Sequence, residues 1–238
     1  MNYPRILARA GFVYLALAVS LQAQTLVQYA FTANDTTTSR NASITGANVT
    51  PQAFANGGGV TITSSAIGSP TVRSYFVTGD LVDEAISATS TDWLGFTISA
   101  NSGYQLNLQN LSFAYAFSFN GGTAPTGPAT FDVRSSLDNY ASSISVLTAS
   151  VGAVNVVNWS NASIVLTDAA YQNLSAITFR IFLNDGSNVK ADSYLRLDTV
   201  ALTGAASVVP EPSTYAVLAG LAGLVLAGVS RRVRRLED

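Results

Sequence analysis

Cysteine and histidine are both absent from this chain of 238 residues. The first absence removes disulfides, thiolate nucleophiles and sulfur ligands for zinc. The second removes the usual general base near neutral pH and the commonest metal-binding ring. Charge is scarce as well, with Asp, Glu, Lys and Arg making up 11% of the residues. What positive charge there is sits largely at the ends, at Arg5 and Arg9 and at Arg231, Arg232, Arg234 and Arg235. Between Gln24 and Val209 there remain six cations (Arg40, Arg73, Arg134, Arg180, Lys190 and Arg196) against eleven acids. Such a body repels phosphate backbones, which argues against a nucleic-acid partner, and it would tolerate divalent cations.

Long helical periods are also missing from the middle of the chain. Short alternating runs rich in Val, Ile, Leu, Phe and Tyr take their place, among them LVQYAFTA, WLGFTIS, YQLNLQ, LSFAYAFSF, ATFDVRSS and AITFRIFL. In LSFAYAFSF the residues Leu111, Phe113, Tyr115, Phe117 and Phe119 fall on one face of a strand. In AITFRIFL the residues Ile177, Phe179, Ile181 and Leu183 do the same, with Thr178, Arg180 and Phe182 opposite. Gly, Asn, Asp and Ser clusters punctuate the runs. Roughly ten short strands of this kind predict an all-β fold, an antiparallel β-sandwich of jelly-roll type, over residues 24–205. Short helical turns are expected near Asp83–Ile86 and Asp168–Asn173.

The two ends read differently. MNYPRILARAGFVYLALAVSLQAQT has a basic start, an apolar run from about Ala10 to Val19 and a small-residue site, the layout of a secretory signal peptide over residues 1–23 with cleavage after Ala23. An exported domain without disulfides must stand on its core alone, and the lack of cysteine fits a bacterial surface protein. Residues 206–238 form a tail: a linker, Pro210-Glu211-Pro212, an apolar run from Tyr215 to Val229, and the arginine cluster. Taken from Ser213 to Ser230 the run just reaches the ~17–20 residues needed to span a hydrocarbon core, so a single transmembrane helix is expected there. The arginines would stay cytoplasmic and the body outside, in agreement with the signal peptide.

This tripartite tail resembles the PEP-CTERM sorting signal of Gram-negative bacteria. The resemblance implies recognition at Pro210, Glu211 and Pro212 by an exosortase-type membrane processing enzyme, with the helix and Arg231, Arg232, Arg234 and Arg235 retaining the substrate in the inner membrane until the tail is removed. It also implies a final place at the cell surface or in the extracellular matrix, in association with exopolysaccharide. Within the body, TGPATFDVRSSLDNYASSI, ITFRIFL and LRLDTVALTG resemble segments of exported PEP-CTERM proteins of Verrucomicrobia and Planctomycetes. The last of these also resembles the closing strand of jelly-roll carbohydrate-binding modules, which would make Asp198 a position for a structural calcium.

No catalytic set stands out. Asp83-Glu84 is the only adjacent acidic pair in the body, and neighbours on a strand point to opposite faces, so a solvated turn is the expected role. No G-x-S-x-G places a serine nucleophile. Asp185, Asp192 and Asp198 could supply oxygen ligands to calcium, although no EF-hand spacing is present. Arg134 is expected to pair with Asp132 or Asp138. Trp93, Trp159, Tyr104 and Tyr140 would make a sugar-stacking platform if exposed. The sequence thus predicts a non-enzymatic exported surface or matrix protein without an obligatory cofactor. The alternative is a carbohydrate-binding, calcium-dependent module.

Overall fold

The computed structural model describes residues 23–31, 40–65, 74–78, 85–119, 127–185 and 193–209. The signal segment before Ala23, the Pro-Glu-Pro motif, the expected transmembrane helix, the terminal arginines, Asp83-Glu84 and Asp192 all lie outside the described residues. Among the described residues no helix is long and apolar enough to cross a membrane.

Among the described residues thirteen strands follow one another: β1 (Gln24–Tyr29), β2 (Ile44–Thr45), β3 (Val49–Pro51), β4 (Ala55–Asn56), β5 (Thr61–Ser65), β6 (Ser74–Thr78), β7 (Trp93–Ala100), β8 (Tyr104–Phe119), β9 (Ala129–Ser135), β10 (Ser145–Ala149), β11 (Ser160–Val165), β12 (Ala176–Asn184) and β13 (Ser193–Val208). Single 3₁₀ turns cover Ser136–Asp138 and Ala169–Tyr171; the second lies within the helical turn expected near Asp168. The first sheet has seven strands in the order β11-β8-β13-β1-β2, with β6 also against β13 and β5 against β6. The second has six, in the order β10-β9-β12-β7-β3, with β4 also against β7. The strand pairs are antiparallel, as the alternating sequence pattern requires.

The longest ladder joins β8 and β13, sixteen residues each. YQLNLQ and LSFAYAFSF, two strands by sequence, are one strand here. The apolar pattern changes phase between them, since Leu106 and Leu108 face the core and so do Leu111 and Phe113. Strict alternation cannot bury both sets. The register absorbs the difference at a bulge, where Thr203 pairs with Asn110 but Gly204 pairs with Leu108, leaving Gln109 over. β13 has the same problem and the same remedy, with Leu195 and Leu197 on one side of a bulge and Val200 and Leu202 on the other. A third shift, at Leu26 of β1, lets Leu26 and Val27 both be buried. At Gly204 a β-carbon would collide with the carbonyl of Asn107, so the bulged ladder admits only glycine there.

The β13 bulge marks a change of neighbours. Before it, Leu195–Leu197 pair with β6; beyond it, Val200–Gly204 pair with β1. β13 also runs to Val208, so Ala206 to Val208 are strand and not the linker that the sequence suggests. The three extra rungs pair Ala206, Ser207 and Val208 with Leu106, Gln105 and Tyr104.

The core lies between the sheets. Tyr29, Phe54, Phe96 and Phe179 form its aromatic chain, with ring centroids 5.2 Å (Tyr29–Phe54), 5.3 Å (Tyr29–Phe96) and 5.7 Å (Phe96–Phe179) apart. Tyr29 of the first sheet crosses this layer and donates its hydroxyl to the carbonyl of Gln52, 2.6 Å away beyond β3. Burial pushes its phenol well above the ordinary value, so it stays a neutral donor.

A second, smaller layer covers the outer face of the second sheet. Phe182 points away from the main core yet is fully buried. Arg134, diagonal to it on β9, lies 5.5 Å from its ring centroid. The guanidinium of Arg134 donates twice to Asp132 Oδ2, at 2.9 and 2.8 Å, which settles its expected choice between Asp132 and Asp138. It also donates to the carbonyls of Tyr140 (3.0 Å) and Ile86 (3.1 Å), tying two loops onto the sheet. Asp138 instead accepts the backbone N–H of Ser142 at 2.9 Å.

Two substitutions test these layers. Phe179→Ala, emptying the centre of the sandwich, is expected to lower unfolding free energy by about 3–5 kcal/mol in urea denaturation. Asp132→Ala, which strands the buried Arg134 cation, is expected to cost a similar ~3–5 kcal/mol, and a paired Asp132→Leu/Arg134→Met change to recover part of that loss.

Candidate functional site

The outer face of the second sheet brings together side chains that are far apart in sequence. Antiparallel pairing of β7 with β12 sets Gly95 opposite Arg180 and Trp93 opposite Phe182, while β9 sets Arg134 on the other side of Arg180. Arg180 belongs to the outward-facing row of β12, as alternation requires. Its guanidinium carbon lies 4.2 Å from the ring centroid of Trp93 and 3.9 Å from that of Tyr140. Both distances are well within cation–π range, and two rings together hold one cation. A β-carbon at Gly95 would run into the carbonyl of Phe179, so glycine keeps the strand pair close at this rung.

Tyr140 reaches the site from a loop. Asn139 and Tyr140 both have left-handed backbone, at φ of 57° and 62°. Asparagine adopts that region readily, whereas an aromatic residue does so at a cost of ~1–3 kcal/mol. The turn is closed by the Tyr140 N–H donating to the carbonyl of Ser135 at 2.9 Å, and by Arg134 bonding the Tyr140 carbonyl from below. The strain is thus held by specific hydrogen bonds, and its effect is to lay the Tyr140 ring over Arg180.

The three side chains line an open cleft of about 260 Å³, together with Gln52, Thr97 and Thr178. The hydroxyls of Thr97 and Thr178 are hydrogen-bonded to each other at 2.7 Å. Arg180 is the only charged residue among those lining the cleft. Its Nε is buried and has no hydrogen-bond partner, and among the described residues no carboxylate pairs with it. The cleft therefore presents a half-buried cation against two rings, with hydroxyls beside it.

The residues singled out by sequence are distributed more widely. Trp93 and Tyr140 meet at this cleft, whereas Tyr104 opens β8 and Trp159 precedes β11, both in the first sheet. Asp198 lies in β13 and Asp185 just after β12, so they belong to different sheets. Asp198 is fully buried, and its Oδ1 accepts the N–H of Thr199 at 2.6 Å and its hydroxyl at 3.1 Å. Thr199 has a φ of 48°, unusual for a β-branched residue, so Asp198 fixes the strained residue of the β13 bulge. Nearby, Arg196 donates its Nε to Ser118 Oγ at 2.7 Å, and burial pulls its pKa below the ordinary value. Among the described residues no group of three or more carboxylates is placed to hold a metal ion, and Asp192 lies outside them. Ala23 is exposed and immediately precedes β1. Sequence reading did not find Arg180. Its signal was the outward alternation of β12, but the pairing of β12 with β7 and the turn at Tyr140 are not written in any one segment.

Comparison with curated protein sequences gives no significant match. Among solved structures, the chain is similar to the N-terminal CBM22-1-CBM22-2 tandem domain of Paenibacillus barcinonensis Xyn10C, at 14% identity and a TM-score of 0.42, over 82% of this chain and 50% of that one. It is similar to the Clostridium thermocellum xylanase 10B CBM22-1-GH10 modules, at 15% identity and a TM-score of 0.39, over 79% of this chain and 30% of that one. It is also similar to the K1 cleaved adhesin domain of Porphyromonas gingivalis Lys-gingipain, at 12% identity and a TM-score of 0.39, over 76% and 97%. The chain thus spans half or less of the first two structures. Residues 208–235 match the PEP-CTERM protein-sorting motif, which begins at the last residue of β13.

Proposed function

We propose that this chain is a non-enzymatic exported protein of the cell surface or extracellular matrix, sorted by its tail and processed there by an exosortase-type membrane enzyme. The observation that carries this reading is the sorting-motif match at residues 208–235, which begins at the last residue of β13. The sequence of the tail supplies the physical logic. Pro210 and Pro212 disfavour helix on either side of Glu211, which suits a segment that an enzyme reads. The apolar run beyond is marginal in length for a permanent span, and the arginines stop its transfer, which suits a temporary tether in the inner membrane. The absence of histidine and cysteine supports a role without catalysis.

A second reading concerns the body, which we propose as a carbohydrate-binding module acting on exopolysaccharide. The cleft of Trp93, Tyr140 and Arg180 on the outer face of the second sheet favours it, because aromatic and planar groups flanked by hydroxyls suit sugar rings. Calcium binding at Asp185, Asp192 and Asp198 stays part of that reading as an option, tied to the loop before β13.

Intact-mass analysis of the protein recovered from a producing strain tests the sorting reading. The expected mass lacks residues 1–23 and the C-terminal apolar run with its arginines, and the protein is found outside the inner membrane. In a strain without the exosortase, or in Glu211→Ala, the tail is expected to remain and the protein to stay membrane-bound. An unchanged mass and placement in both backgrounds would overturn the reading.

A further inference from the structure

The aromatic pair at the cleft is arranged in a way that a platform for neutral sugars would not be. A pyranose stacks on an open ring face. Here one face each of Trp93 and Tyr140 is already taken by the guanidinium of Arg180, at 4.2 and 3.9 Å. The rings hold a cation in place, and the cation is the one group in the lining that carries charge.

Among the described residues that cation has no carboxylate counter-ion. Asp132, diagonal to it across β9, gives its Oδ2 to both hydrogen bonds from Arg134. Arg134, directly opposite Arg180, is a like charge. The remaining titratable group of the lining is the Tyr140 phenol, and neither Asp138 nor Asp92 is among the lining residues. Among the described residues the lining therefore carries one cation and no carboxylate, on a body in which acids outnumber cations. A planar guanidinium fixed between two rings keeps its N–H edges in one plane. It is prepared to receive a carboxylate in that plane, with little rotamer freedom left to lose. Thr97 and Thr178 place a hydroxyl pair in the same cleft, and such groups bond sugar hydroxyls. At about 260 Å³ the cleft is smaller than a drug-sized pocket, which limits the occupant to a unit such as one sugar of a longer chain.

We infer that the cleft formed by Trp93, Tyr140 and Arg180 binds an acidic saccharide, with the carboxylate of a uronic acid on the edge of Arg180 and its hydroxyls toward Thr97 and Thr178. Trp93 and Tyr140 act as positioning residues that hold the guanidinium, and Arg134 positions Tyr140 through its carbonyl. This inference rests on the carbohydrate-binding reading of the body and specifies its ligand.

The test is isothermal titration of the full chain in detergent micelles with a galacturonic acid trimer and with its neutral methyl ester, which differ only at the carboxyl groups. The acidic trimer is expected to bind about tenfold or more tightly than the ester. Arg180→Gln is expected to abolish the difference between the acidic trimer and the ester. Arg180→Lys is expected to recover part of the difference, since it restores charge without the planar fork. Thermal melting checks that the variants are folded; if Arg180→Gln is not, the ratio between the two trimers in the unaltered protein decides. Equal binding of acid and ester overturns the inference and leaves the carbohydrate-binding reading standing. Binding of neither overturns both. Displacement of the acidic trimer by equimolar citrate overturns the assignment to a saccharide.

Discussion

The pairing of β13 with β8 is the interaction on which the rest of the fold depends. β13 lies in the interior of the first sheet, bonded along one edge to β8 and along the other to β6 and then β1. The strand that joins the first, middle and later parts of the chain is thus the last one in sequence. Long-range pairing of this kind must overcome loop-closure entropy before it is rewarded, and no disulfide assists it. The bulges at Leu26, Gln109 and the Asp198–Thr199 turn are what allow the long ladders to keep their apolar residues inward. Asp198 serves this end directly by holding Thr199 in its left-handed conformation.

This arrangement bears on the proposed export route. The sorting motif begins at Val208, where the β13–β8 ladder ends at its pairing with Tyr104. A chain emerging from its N-terminus completes the sheet only when the residues next to the tail have emerged. A temporary membrane tether placed there would hold the chain at the point where folding finishes. Cleavage after folding would then leave a body whose last strand is already locked inside a sheet.

Much of this was legible in the sequence. The alternation in AITFRIFL and LSFAYAFSF gave the correct inward faces, since Ile177, Phe179, Ile181 and Leu183 and also Leu111, Phe113, Tyr115 and Phe117 are in the core. The all-β antiparallel class followed from the same pattern. Less visible were features that depend on a partner strand. The phase change between Leu108 and Leu111 looked like a break between two strands because a bulge is a relation between two chains of residues. Phe182 looked exposed by alternation but is buried beneath loops held by Arg134, which no local pattern specifies. Trp93 and Tyr140 were noticed as aromatics, whereas the cation that joins them came only with the pairing of β7, β9 and β12.

The central claim is that the body is one sandwich whose first sheet is completed by β13. Hydrogen exchange followed by mass spectrometry on the exported protein tests this most directly, because buried ladder amides exchange only through opening of the structure. The account predicts that Tyr104–Phe119 and Leu195–Val208 exchange together, at the rate of global unfolding. Rapid exchange through Leu195–Val208 while Tyr104–Phe119 stays protected would contradict it.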